Sequence, residues 1–330
     1  MSGVTGIWIV VTPGVLLLDL AGPAEAFRLA RRAGAPLELH LCGPTPEATT
    51  SLGVPLAGLE PLPTSLPPRD VVVVAGCEDS ARHYARAEAS RVVSWLRALP
   101  EGTRTASVCS GALLLARAGR LDGRSCTTHH TLLDRLRAEA PQARVEEDRI
   151  FVDDGTVLSS AGITAGIDLA LHLIEQTSGP GVAQAVAREM VVFMRRSEHD
   201  PQLSPWLMNR NHLHPAVHRV QDEIARDPTR SRPRSELAAL GNVSERHLAR
   251  LFREHAGVSI GEYQRGLRVA QAQRLLQDDR MTVERAAELA GFGSARDMRR
   301  AWRRHAGGTP SGRARIGAVR WKALKVLCGR

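Results

Sequence analysis

The sequence predicts an α/β sandwich with a mostly parallel sheet, followed by an all-α domain holding two helix-turn-helix units. Three observations support this. Continuous apolar runs alternate with helical patterns through the first half of the 330 residues. Strand signals disappear after about residue 213. Beyond that point one plan occurs twice: a short helix, a glycine turn and a Ser-capped helix.

The elements of the first half follow in order. Ile7–Val11 reads as a buried strand, Pro23–Ala33 as a helix and Leu37–Cys42 as the next strand. Asp70–Ala75 (DVVVVA) is a continuous apolar run between Pro68 and Gly76, and Ser90–Leu99 is an amphipathic helix. Thr105–Val108 is a short strand feeding the helix Gly111–Ala118; Val157–Ser159 is a strand and Ala165–Thr177 a helix. Uninterrupted apolar strands between helices mean a sheet covered on both faces, which is a parallel, flavodoxin-like arrangement.

Residues 1–195 form this domain, 196–212 read as a polar linker with two prolines, 213–315 as the helical domain and 316–330 as a basic tail. In the helical domain, Arg234–Leu240 is a short helix, Gly241-Asn242-Val243 the turn, and Ser244 the cap of a helix running to about His255. Val283–Ala290, the turn Gly291-Phe292-Gly293 and a Ser294-capped helix to about His305 repeat the plan. The glycines supply the backbone freedom of the turn, and a serine at the N-cap satisfies a free helix N–H. Leu248, Leu251 and Phe252 form the inner stripe of the first capped helix, with Met298, Ala301 and Trp302 in the second. Between the units, Ile260–Gln277 spans about 27 Å at 1.5 Å per residue, near the roughly 34 Å between successive major-groove faces.

Charge separates the halves. Residues 1–212 hold 20 Lys and Arg against 23 Asp and Glu; residues 213–330 hold 24 against 12. The basic half points to a polyanion partner. The five cysteines, Cys42, Cys77, Cys109, Cys126 and Cys328, form no CxxC or Cys/His pair. No metal site or cofactor is therefore expected, and scattered thiols suit a reduced cytoplasmic protein. No stretch reaches the roughly 18 uninterrupted apolar residues of a membrane span.

The stretches SERHLARLFREHAGVSIGEYQRGLRVAQAQRLL (244–276) and AAELAGFGSARDMRRAWRRHAGGTP (286–310) resemble the AraC/XylS regulators. Met298 and Trp302 stand where phenylalanine is usual, and Ile260 replaces the usual proline. The resemblance implies binding of double-stranded promoter DNA through Arg246, His247 and Arg250 of the first unit and Arg296, Asp297 and Arg300 of the second. Ala249 also faces outward in the first. Arginine serves guanine edges bidentately and phosphates equally well.

In the first half, TASVCSGALLLARAG (105–119) places Cys109 at a sharp strand-to-helix bend, the nucleophile-elbow arrangement in cysteine form. A helix N-terminus there favours thiolate. LLDLAGPAEAF (17–27), VVVAGC (72–77), VCSGALLLA (108–116), CTTHHTLLDRL (126–136) and SSAGITAGIDLALHLIE (159–175) together resemble the ThiJ/PfpI domain, related to class I glutamine amidotransferases. Joined to an AraC-type tail, the whole chain resembles the GlxA-like regulators.

That resemblance implies a Cys109, Glu25 and His129 constellation, with His130 as the neighbouring alternative. It also implies a ligand pocket of Glu25, Gly76, Cys77, Cys109, Ser110 and His129 for an amine, amide or amino-acid-like metabolite. Two departures weaken a catalytic reading: Ser110 follows the cysteine where proteases of the superfamily carry His, and Ala75-Gly76-Cys77 replaces Pro-Gly-Gly. Cys77 near Cys109 leaves a disulfide or redox sensor open, and Asp168 reads as a helix-start acid near the pocket or a dimer face. A ligand-responsive regulator, homodimeric through its N-terminal domain and able to meet RNA polymerase, is the expected function. A cysteine-dependent hydrolase or hydratase with a DNA-binding appendix is the alternative.

Overall fold

The computed structural model describes residues 3–192, 196, 202, 206, 208–210, 212–276, 280–305 and 309–310. Gly307, Gln277, Cys328 and the basic tail lie outside the described residues. The chain divides into two compact units, Met1–Gln202 and Leu203–Arg330.

The first unit is built on eleven strands: β1 (Thr5–Val10), β2 (Leu37–Gly43), β3 (Glu47–Thr49), β4 (Pro55–Ala57), β5 (Glu60–Pro61), β6 (Val71–Val74), β7 (Arg104–Val108), β8 (Ser125–Cys126), β9 (Arg144–Val145), β10 (Phe151–Asp153) and β11 (Val157–Ser160). Seven make one sheet in the order β10-β11-β7-β6-β1-β2-β5, parallel except for the β10 edge. The inner order β2-β1-β6-β7-β11 is the flavodoxin-like winding, whose ligand crevice lies beyond the carboxyl ends of the strands at the β1/β6 switch point.

The apolar runs are continuous because both faces are buried. Ile7, Ile9, Val71 and Val73 enter one core, whereas Val10, Val72 and Val74 enter the other. The period-2 alternation of a strand therefore sorts residues between two helical layers rather than between core and water. One layer is α1 (Leu17–Arg32), with helices we number α6 (Ala165–Ser178) and α7 (Pro180–Glu189) further along the chain. The other holds α2 (Ser80–His83), α3 (Ala87–Ala98), α4 (Gly111–Arg117) and α5 (Leu133–Glu139).

The α1 helix begins six residues before the sequence places it, and Pro23 sits inside it. A proline usually starts a helix or breaks it. Here its ring lies against Gly166 of α6, whose added Cβ would meet Pro23 Cγ at 3.2 Å. Gly22 in turn faces Ile167. Close approach of the two helices at these small residues holds the proline in place.

The second unit comprises α8 (Pro215–Arg226), α9 (Arg234–Gly241), α10 (Glu245–Ala256), α11 (Ile260–Leu275), α12 (Val283–Leu289) and α13 (Ala295–His305). It has two cores that share α11. Tyr263 and Leu267 join Val217, Val220, Leu237, Leu248 and Phe252, whereas Val269 and Ala272 join Ala286, Ala287, Met298 and Trp302.

Candidate functional site: a strand-to-helix elbow and a DNA interface

At the carboxyl end of β7 the chain turns through Cys109, which holds φ +54°. A left-handed conformation at a non-glycine residue costs energy and survives only where its surroundings impose it. The Cys109 N–H donates to the Ser160 carbonyl at 3.1 Å, and its own carbonyl accepts the Thr128 hydroxyl at 2.8 Å. Glycines line the bend because nothing larger fits. A Cβ on Gly76 would meet Asp19 Oδ2 at 2.5 Å and Cys109 Cβ at 2.8 Å, and one on Gly162 would overlap Cys109.

The carboxylate at the elbow belongs to Asp19, not to Glu25. Asp19 is fully buried, and its Oδ1 accepts the Ile163 N–H at 2.6 Å. Glu25 is exposed and pairs with Arg28 at 2.5 Å. The reason is helical phase: six residues at 100° each rotate a side chain about 240° away from the face Asp19 occupies. Burial pushes the Asp19 carboxyl up to about 6, against the opposing pull of the Ile163 N–H, the Cys109 thiol and the Gly76 N–H.

Burial and the Asp19 charge together raise Cys109, so the thiol is held protonated. This corrects the thiolate expected from the helix N-terminus: desolvation next to a carboxylate outweighs the dipole. Cys77 is also a free, buried thiol, pushed up to about 11 by burial. Ser110 is a pin between the strand ends. Its hydroxyl accepts the Cys77 N–H at 2.8 Å and lies 3.3 Å from the Tyr84 hydroxyl.

His129 is half-buried and turned toward Thr131, with Nδ1 2.8 Å from its hydroxyl, and its ring lies 4.4 Å from that of His130. Among the described residues no hydrogen bond joins His129 to Cys109 or Asp19. The constellation brought together is therefore Cys109, Asp19, Gly76 and Thr128.

Two described residues of the stretch read as a linker, Arg196 and Gln202, bond close to this elbow. Arg196 donates through its backbone N–H (3.0 Å), Nε (3.0 Å) and Nη2 (2.7 Å) to Asp168, and through Nη2 to Thr164 (2.9 Å). Gln202 donates to the Thr128 carbonyl at 2.9 Å, and its N–H reaches half-buried Asp148 at 3.1 Å. Asp168 is thus a clamp for Arg196.

In the second unit, Ser244 caps α10 by accepting the His247 N–H at 3.3 Å, and Ser294 accepts the Asp297 N–H at 3.1 Å. Leu248, Leu251, Phe252, Met298, Ala301 and Trp302 all face inward. Arg246, His247, Ala249, Arg250, Arg296, Asp297 and Arg300 are all exposed, so each capped helix offers a polar stripe to a partner.

One turn differs from expectation. Gly241 ends α9, and the left-handed residue is Asn242 at φ +54°. Asparagine tolerates that region better than other side chains. In the second unit Gly291 takes φ +80°, and a Cβ there would lie 2.6 Å from the Thr229 Cα. That loop between α8 and α9 is held by α11: Gln264 donates to the carbonyls of Pro228 (3.0 Å) and Arg230 (2.7 Å), and Arg268 to those of Pro228 (2.6 Å) and Thr229 (2.9 Å).

An α/β domain with a strained cysteine elbow, followed by two capped helices bearing arginine stripes, defines a DNA-binding regulator with a DJ-1/PfpI-type domain. The chain belongs to the DJ-1/PfpI family, which matches residues 6–176, and a helix-turn-helix domain matches residues 237–315. It is similar to the HTH-type transcriptional regulator CdhR of Pseudomonas aeruginosa, 32% identical over 92% of this chain and 90% of that one. It is also 31% identical to the regulator GlxA of Rhizobium meliloti over 89% of this chain and 90% of that one. An isonitrile hydratase of Pseudomonas putida is 34% identical, over 54% of this chain and 74% of that one. The protein is a DNA-binding transcription regulator, and among the described residues no helix is long and apolar enough to cross a membrane.

Proposed function

We propose that the α/β domain receives a small amine, amide or amino-acid-like metabolite at the elbow without turning it over, and that the chain acts as a cytoplasmic homodimer. The observation that carries this reading is the buried Cys109 thiol set against the fully buried Asp19 carboxyl, an environment that favours the neutral form of both. A neutral thiol is a poor nucleophile. A buried carboxylate that can ionise is a natural partner for an ammonium or amide N–H. The clamps on Arg196 and Gln202 supply the output: they tie the chain leaving this domain to segments flanking Cys109. A metabolite alters DNA binding only by favouring one of two states of that segment. RNA polymerase would then be met by the DNA-bound form.

Thermal unfolding of the full chain across amines, amides, amino acids and betaines tests this. A ligand at 100 times its dissociation constant adds about 2.7 kcal/mol. We expect a binder whose effect on DNA affinity survives in Cys109→Ser. The 34% identity to an isonitrile hydratase favours a second reading, an enzyme. Turnover of an isonitrile or amide that vanishes in Cys109→Ser would establish that reading instead. A peroxide response lost in the same variant would point to a redox sensor.

A further inference from the structure

Beside the exposed stripe of α13 lies a cleft of about 400 Å³ between that helix and α11. Its lining includes Arg265, Arg268, Asp297, Arg300, Arg304 and His305. Positive charge dominates. Asp297 is engaged by Arg300 at 3.0 Å, and Arg268 serves the Pro228 and Thr229 carbonyls. Glu262, also close to Arg265 and Arg304, is tied into the capping box with Ser259. Arg265 and Arg304 are exposed, and among the described residues neither has a hydrogen-bond or ion-pair partner. Burial and these two guanidiniums hold the His305 imidazole below its ordinary range. Two unengaged guanidiniums converging on one concavity are suited to a tetrahedral monoanion.

Position decides which anion. Arg296, Arg300 and Arg304 recur every four residues and so run down one side of α13. The first two belong to the stripe presented to DNA, and Arg304 carries that stripe to the cleft.

We propose that this cleft takes a backbone phosphate of the strand bordering the groove entered by α13, held by Arg265 and Arg304. The helix joining the two units would then be a DNA contact as well as a spacer. The inference rests on DNA binding by this domain. It adds a sequence-independent anchor that the turn-and-helix plan does not reveal.

The test uses the full chain and two duplexes: one selected from a random pool by the protein, one unrelated. Binding is measured from 50 to 200 mM salt for the native chain and for Arg265→Ala, Arg304→Ala and Arg265→Lys. One neutralised phosphate contributes about 0.9 to the slope of log K against log salt. We expect each alanine variant to lower that slope by about 0.9 and to lose the same factor of affinity on both duplexes, while Arg265→Lys keeps the slope. An unchanged slope, or a loss confined to the selected duplex, would overturn the proposal. So would a thermal shift with inorganic phosphate that the alanine variants lose while their DNA slopes stay native, since the site would then take a free anion. Both arginines are exposed and, among the described residues, unpaired, so we expect the variants to fold. Absence of DNA binding by the native chain would instead sink the DNA-binding reading itself.

Discussion

At the residue scale the decisive pair is Asp19 and Cys109. A carboxyl raised from 3.8 to about 6 contributes stability that is fully present below about pH 3.8 and lost as pH rises through 6. Above pH 7 the fully buried charge costs the fold about 3 kcal/mol relative to its protonated form. Asn at position 19 can still accept the Ile163 N–H but cannot ionise. The Asp19→Asn chain should therefore gain melting temperature over the native chain at pH 8, with the gain fading toward pH 4. An equal difference at both ends of that range would show that burial does not govern this group. The left-handed Ile163, φ +51°, belongs to the same device: its strained backbone aims an N–H at the carboxylate.

Element by element, the second unit depends on local chemistry that can be removed one atom at a time. Each serine cap satisfies one free helix N–H and is worth about 1 kcal/mol. Ser244→Ala and Ser294→Ala should each lower unfolding stability by about that amount in urea and leave the first unit's transition in place. The caps also orient the first turns that carry Arg246 and Arg296. DNA affinity should fall with them, and Ser→Asp, which restores the cap, should recover stability but not affinity, because it adds a negative charge facing phosphate.

These caps, turns and stripes were legible in the sequence because each is encoded within four residues. The elbow was legible for the same reason: strand, Cys109, Ser110 and Gly111 are contiguous. What was not legible depended on phase or on distance. Choosing Asp19 over Glu25 needs the start of α1, and Pro23 disguised that start. A lone acid amid LLDLAG was the available signal, since an unpartnered charge there has to be buried. The left-handed residue slipped by one, from Gly241 to Asn242. The clamps on Arg196 and Gln202 join residues 28 and 74 positions apart, and nothing local marks them. Thr128 was hidden similarly, read as part of a motif but not as the donor to the Cys109 carbonyl.

For the whole molecule, those clamps predict a separation of binding from response. Arg196→Ala and Gln202→Ala remove the side-chain donors to Asp168, Thr164 and Thr128 without touching Asp19 or Cys109. The variants should bind a metabolite found by thermal shift with affinity within a few fold of native, yet lose most of its effect on DNA affinity. Titrating DNA with and without saturating ligand checks this. A native response in both variants would show that the segment carries no signal.

The seat of Gly291 on Thr229 has a consequence for the promoter. The turn of the second helix-turn-helix rests on backbone of the first helix-turn-helix, and that backbone is tied down by Gln264 and Arg268 of the shared helix. The two reading heads are thus jaws of a calliper locked at one opening. DNA with half a helical turn inserted between the two contacted segments turns one of them away, and the seat of Gly291 on Thr229 opposes any swing that would follow it. Evolution of its target sites is accordingly free to drift in base sequence but constrained in length.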